Sequence, residues 1–330
     1  MLISRVNQCL RSRPLNFRKV GLLVFVVTLL VAAPSSADLL IPSYNSGAIL
    51  RYDGVTGEFI NAVVPSGSPN LHQPFGLAIG PDQNLYVSDS VSQNIQRYDP
   101  TTGGYIDEFV PAGSNGIRNP LSIHFGSDGN LYAGSFFSHS IRKYSGDTGQ
   151  FISTAATHPS LNRPIDFTFA PDGGLLVSDY RAGFIFQFSA TGDFVRTISM
   201  PGPQFRPPWG IAFGPDGDLY VASTVQNLIL KFDGTTFANL GTFATHPDLV
   251  EPGSLTFGPD GNLYVASWIN SSVLRFDGQT GAFIDFFVAP GSGGLNGPKQ
   301  ILFTSPVPEP RTYVLAAMGI VALLFERRRK

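Results

Sequence analysis

Between residues 38 and 306 one pattern of apolar and polar positions recurs along the chain. Short runs alternate in character and are bounded by glycine, proline and aspartate, the period-two signature of strands rather than helices. A proline opens each unit, at Pro74, Pro120, Pro164, Pro208, Pro252 and Pro298, with spacings of 46, 44, 44, 44 and 46 residues. A similar phrase follows at 75–89, 121–135, 165–179, 209–223 and 253–267, and a second at 95–99, 141–145, 185–189, 229–233 and 273–277.

Each unit predicts four short strands. The first runs into Gly-Pro-Asp-Gly, intact at 214–217 and 258–261, where proline presets φ, aspartate caps its own backbone and the last glycine accepts positive φ. Leu-Tyr-Val makes the second strand and Ile-x-Arg/Lys-Tyr/Phe the third. A Thr-Gly turn (Thr56-Gly57, Thr148-Gly149, Thr280-Gly281) leads to the fourth. Four antiparallel strands every 44 or so residues make one propeller blade. First strands begin at 75, 121, 165, 209, 253 and 299, and second strands at 39, 85, 131, 175, 219 and 263, six of each. The opening repeat (38–74) lacks a first strand, whereas 299–303 is only a first strand. The expectation is an all-β, six-bladed propeller closed by strand 299–303 joining the first blade, which removes both sheet edges. Most phenylalanines and tyrosines are then core. Over 38–304 these repeats resemble NHL-repeat propellers, to which streptogramin lyases and gluconolactonase-type enzymes are broadly similar. That resemblance implies a fold; the functions found on it are diverse.

The two ends have a different character. Arg5, Arg11, Arg13, Arg18 and Lys19 precede an apolar run at 20–33, and Ser35-Ser36-Ala37 supplies small residues, so 1–37 reads as a signal peptide with a helical core. At the other end, Pro308-Glu309-Pro310 precedes an apolar segment at 313–325 and the basic cluster Arg327, Arg328, Arg329 and Lys330. This arrangement over 307–330 resembles the PEP-CTERM sorting signal of Gram-negative bacteria. The resemblance implies export through the Sec translocon and passage through the inner membrane, held by a hydrophobic transmembrane helix. It further implies processing by an exosortase-type protease or transpeptidase, and display at the cell surface or in the extracellular matrix beside exopolysaccharide.

Removing both ends changes the charge. The whole chain is −2, but residues 38–306 carry 12 basic against 22 acidic side chains, a net −10. Such a body repels phosphate backbones, which argues against nucleic acid. Cys9 is the only cysteine and lies in the signal segment, so the body holds together without a disulfide.

Loops joining the fourth strand to the next first strand, and the second to the third, share one face of such a ring. They differ from blade to blade, as a binding surface does. Asp89, His139, Arg163, Asp166, Asp179, Tyr180, Arg181, Trp209 and Trp268 are the candidates for that face, with Tyr44, Lys299 and Gln300 also falling there. For catalysis, His124 stands out, because it occupies a column otherwise filled by Ala78, Thr168, Ala212 and Thr256. A streptogramin-lyase-like site needs a histidine and an acidic partner, for which His72 and Glu251 are candidates. His158 and His246 share Ala-Thr-His-Pro two repeats apart and point to loop structuring. Gluconolactonase-like propellers hold a divalent cation with acidic and amide side chains; Asp89, Asn162, Asp166 and Asp179 are the candidates here. No Ser-His-Asp spacing, phosphate loop or Cys/His zinc pattern occurs. The reading favoured is an exported binding or scaffold module, with a metal-dependent lactonase or streptogramin-lyase-like enzyme as the alternative.

Overall fold

The computed structural model describes residues 37–202 and 207–304. The expected signal peptide up to residue 36, both terminal helices and the sorting tail, with Pro308, Glu309, Pro310 and Arg327 to Arg329, lie outside the described residues. Among those described, no helix is long and apolar enough to cross a membrane.

Six four-stranded antiparallel sheets form the described body, and five are built from consecutive strands. Blade 2 illustrates the order: an inner strand Pro74–Ile79, a second Leu85–Asp89, a third Asn94–Tyr98 and an outer Tyr105–Val110. Blades 3 to 6 repeat this from inner strands Pro120–Phe125, Pro164–Phe169, Pro208–Phe213 and Pro252–Phe257. Blade 1 combines Asp38–Ser43, Ala48–Asp53 and Phe59–Val64 with the last strand of the body. That strand is shorter than the sequence predicts. Only Leu302–Phe303 pairs, with Leu40 and Leu39, and a single bridge joins Pro298 to Ser43. The interval 299–300 leaves the ladder at the place where every inner strand does so, and here Ile301 stays out as well. Pairing skips from Pro74 to Leu77, Pro120 to Ile123, Pro208 to Ile211 and Pro252 to Leu255, and from Pro164 to Asp166 in blade 4. Such bulges re-aim side chains.

Turn chemistry repeats the sequence motif and adds to it. In blade 5, Gly217 N–H donates to Gly214 O at 2.9 Å with Gly217 at φ +83°, a conformation that costs a side chain and suits glycine. Asp216 of the same turn accepts the Tyr220 hydroxyl at 2.8 Å and lies 2.7 Å from Lys231 Nζ. The same aspartate, tyrosine and cation meet at Asp82, Tyr86 and Arg97, and at Asp128, Tyr132 and Lys143. This accounts for the tyrosine and the basic residue in the two recurring phrases. Asp99, Asp233 and Asp277 each accept two backbone N–H groups just downstream, as turn residues do.

Blades are held to one another by apolar burial. Tyr86 packs edge-on against Phe125 of the next blade at 4.9 Å, and Tyr220 against Phe257 at 4.9 Å. Tyr264 meets Phe303 at the same 4.9 Å, so the closing strand fills between blades 6 and 1 the place that Phe125 fills between blades 2 and 3. Tyr86, Tyr220 and Tyr264 are fully buried, and each contributes roughly 1.5–3 kcal/mol.

Candidate functional site

The bulges leave backbone N–H groups without ladder partners, and channel side chains of a neighbouring blade satisfy them. Gln300 Oε1 accepts from Leu77 N–H, and Asp166 Oδ2 from Ile211 N–H at 3.2 Å. Together with Phe75, Ser122, Trp209, Ser254 and Lys299, Gln300 and Asp166 line a cavity of about 10 Å³, the room of a single water molecule. Ser122 Oγ is buried there without a hydrogen-bond partner.

At and beside that cavity every blade contributes one aromatic side chain. Phe75 and Trp209 come from the bulges of blades 2 and 5. Tyr44, Phe136, Tyr180 and Trp268 directly follow the second strands of blades 1, 3, 4 and 6. Phe75 stacks on Trp209 at 6.4 Å and 11°, Tyr180 meets Trp209 at 5.9 Å, and Tyr44 meets Trp268 at 5.6 Å. Leu121 and Ile165 complete the apolar floor. In the centre stands Lys299. Its Nζ lies 3.0 Å from the ring centroid of Trp268, 4.6 Å from Trp209, 5.1 Å from Tyr44 and 5.6 Å from Phe75. The residue is 7 % exposed, and burial pulls its amine down to about 7, with the charge of Glu251 opposing.

The carboxylates proposed as metal ligands have other work. Asp89 is fully buried; Oδ1 accepts from Val91 and Ser92 N–H, and Oδ2 from His72 and Gln73 N–H. Asp179 likewise accepts from Arg181, Ala182 and Asn162 N–H; burial pushes its carboxyl up, and these three bonds oppose the shift. Ser135 and Ser267 hold the equivalent loops in other blades by accepting from Arg118 and Val250 N–H. The side chain ending the second strand is thus a strut for the loop. Asn162 is exposed, and among the described residues no three His, Cys, Asp or Glu side chains gather closely enough to hold a metal ion. The family-type divalent cation therefore does not fit these candidates, and a lysine amine stands in the channel mouth.

His124 does face Asp166 of the next blade, with Nε2 3.7 Å from Oδ1, too long for a hydrogen bond. Its Nε2 is buried without a partner, and its ring packs edge-on against Phe167 at 4.9 Å. His72 and Glu251 are not paired: His72 Nδ1 lies 2.9 Å from Ser92 Oγ and 3.9 Å from Asp89, while Glu251 is exposed at φ +50°. His139 Nδ1 accepts from Arg163 N–H at 3.1 Å, and the Arg163 guanidinium lies 5.4 Å from the Phe136 ring. Arg181 is exposed. His158 and His246 stack on Phe194 and Phe283 at 4.2 and 3.9 Å, and each accepts a backbone N–H two residues on, so both structure their loops.

Sequence reasoning put Lys299 on the right face and gave it no role. The signal was there: its column otherwise reads Phe75, Leu121, Ile165, Trp209 and Gly253. One cation in an apolar column is as unusual as His124 in its own.

Solved structures with the same architecture include virginiamycin B lyase from Staphylococcus aureus, 17% identical with a TM-score of 0.55, covering 70% of this chain and 77% of that one. A chain of the nidogen/laminin complex is 17% identical with a TM-score of 0.66, covering 83% and 100%. A protein of unknown function from Bacteroides caccae is 16% identical with a TM-score of 0.62, covering 82% and 99%. At these identities the likeness is one of fold. No curated protein matches the chain. Residues 82–293, more than half of the sequence, match the model of the SMP-30/gluconolactonase/LRE-like region. The chain belongs to that family, and within it is a six-bladed propeller with an NHL-like repeat.

Proposed function

We propose that the protein is an exported propeller that binds a small organic ligand, a saccharide by preference, in the aromatic mouth of its channel. One observation carries the reading: each blade supplies one aromatic side chain to a single cluster around Lys299. Apolar walls with a few polar groups beneath are how proteins hold small ligands, and flat rings suit the C–H faces of sugars. The arginine-bearing tail and the leader support export, processing by an exosortase-type enzyme and residence at the cell surface or in a polysaccharide matrix. The chain contains only two tryptophans, Trp209 and Trp268, and both line the mouth, so its tryptophan emission reports on this site alone. Titration with a panel of acidic and neutral oligosaccharides is expected to shift that emission saturably, and W209A should abolish the shift. A panel that leaves the emission unchanged removes the reading.

A second reading has its own observation. The family match favours a lyase or lactonase, and the His124–Asp166 pair, with a buried unpartnered Nε2, is its candidate acid–base site. His124 would take up a substrate proton and Asp166 would orient it. Turnover of a lactone or of virginiamycin B, lost in H124N, is its test.

A further inference from the structure

Three lysines lie among the described residues, and they stand in opposite environments. Lys143 Nζ is 2.7 Å from Asp128; Lys231 Nζ is 2.7 Å from Asp216 and 3.0 Å from Asp218. These ion pairs hold both amines above the usual lysine range. Lys299 makes no salt bridge among the described residues and is surrounded by four ring faces. The charged and titratable groups nearest it are Asp166, which lines the same cavity, Tyr44 beside it, and Glu251, whose charge acts from the exposed rim. Asp166 is already engaged by Ile211 and Phe167 N–H. The fold therefore buries an amine without an acidic partner beside a cavity at the centre of an aromatic cluster.

We propose that Lys299 is a covalent carbonyl-trapping amine, forming a reversible imine with a small aldehyde or ketone that takes the place of the cavity beside it. The Nζ lone pair attacks the carbonyl carbon and a C–N bond forms. A proton passes from nitrogen to oxygen through solvent at the mouth, and the carbinolamine then expels that oxygen as water. Both hydrogens of the neutral amine leave in the water, and C=N replaces C=O. No oxidant or reductant is needed. The neutral imine then takes up one proton from solvent, and the resulting cation lies over the same four rings, which favour it. An uncharged amine is what the first step requires, and burial among apolar groups supplies it near neutral pH. The proposal deepens the binding reading, since the ligand class gains a carbonyl; open-chain sugars carry one.

The test uses full-length protein at pH 7 with propanal as the probe and cyanoborohydride to fix any imine as a secondary amine, followed by peptide mass mapping. Lys299 should be alkylated at least about tenfold faster than Lys143 or Lys231, because at this pH those two are almost wholly protonated. K299R, which keeps a cation but cannot form the adduct, should lose only that modification and fold as the parent does. Equal labelling of the three lysines, or labelling that spares Lys299, overturns the proposal. Oligosaccharide-induced emission changes that persist in K299R would leave the binding reading standing after such a failure. Their absence in the parent, with Lys299 selectively alkylated, would remove the binding reading alone.

Discussion

A lysine buried against aromatic faces is pulled two ways, and pH separates the pulls. Desolvation favours the neutral amine, whereas the quadrupoles of Trp268 and Trp209 favour the ammonium. In the unfolded chain the amine titrates near 10.4, and in the fold near 7. Between those values the unfolded state binds the extra proton, so stability rises with pH; below about 7 both states are protonated and the penalty is complete. Urea midpoints should therefore increase from pH 7 to pH 9.5, by less than burial alone implies because the rings oppose it. K299M should flatten that rise and raise the midpoint at pH 7; a parental slope in the variant would contradict this. Asp179 offers a second check at the same scale. D179N places an amide N–H where the carboxylate accepts from Asn162 N–H, and should cost about 1–3 kcal/mol by thermal unfolding. What the sequence made legible here were residues in regular columns, such as His124. The strut role of Asp89 and Asp179 was not legible, because their partners are backbone groups whose positions depend on the loop rather than on residue identity.

At the level of the element, the four-strand repeat and its turns were readable because period, punctuation and strand alternation agree with one another. The bulge was not, since an extra residue inside a strand leaves no mark in the apolar pattern when its side chains face a channel of mixed character. It appears as the shortened closing strand, Leu302–Phe303, and as the placement of Lys299 and Gln300 away from the ladder. The closing pair nevertheless carries the blade 6 interface, with Phe303 against Tyr264 and Ile301 in the same core cluster as Leu39. Truncation after Pro298 should lower cooperativity and expose two sheet edges, seen as aggregation by light scattering. A truncated chain that melts like one ending at Thr304 would show that the ring does not depend on this strand.

For the whole molecule, the sorting proposal makes its own claim. Glu309 is the only carboxylate in 307–325, and replacing it with Ala should leave export intact and stall processing. Intact-mass measurement then finds full-length protein in the inner membrane, while the parent is released without Arg327–Lys330; release of a parent still carrying that cluster would mean simple anchoring. The closure described above also fixes how the molecule is presented. Thr304 N–H donates to Asp38 O at 2.8 Å, so the two ends of the ring sit side by side. Inner strands enter at the aromatic mouth and end at the Gly-Pro-Asp-Gly turns, and Asp38 and Thr304 lie at that turn end. Any tether leaving either end thus departs from the face remote from Lys299. A layer of such molecules held by their ends would point every mouth outward, toward whatever the surrounding medium carries past.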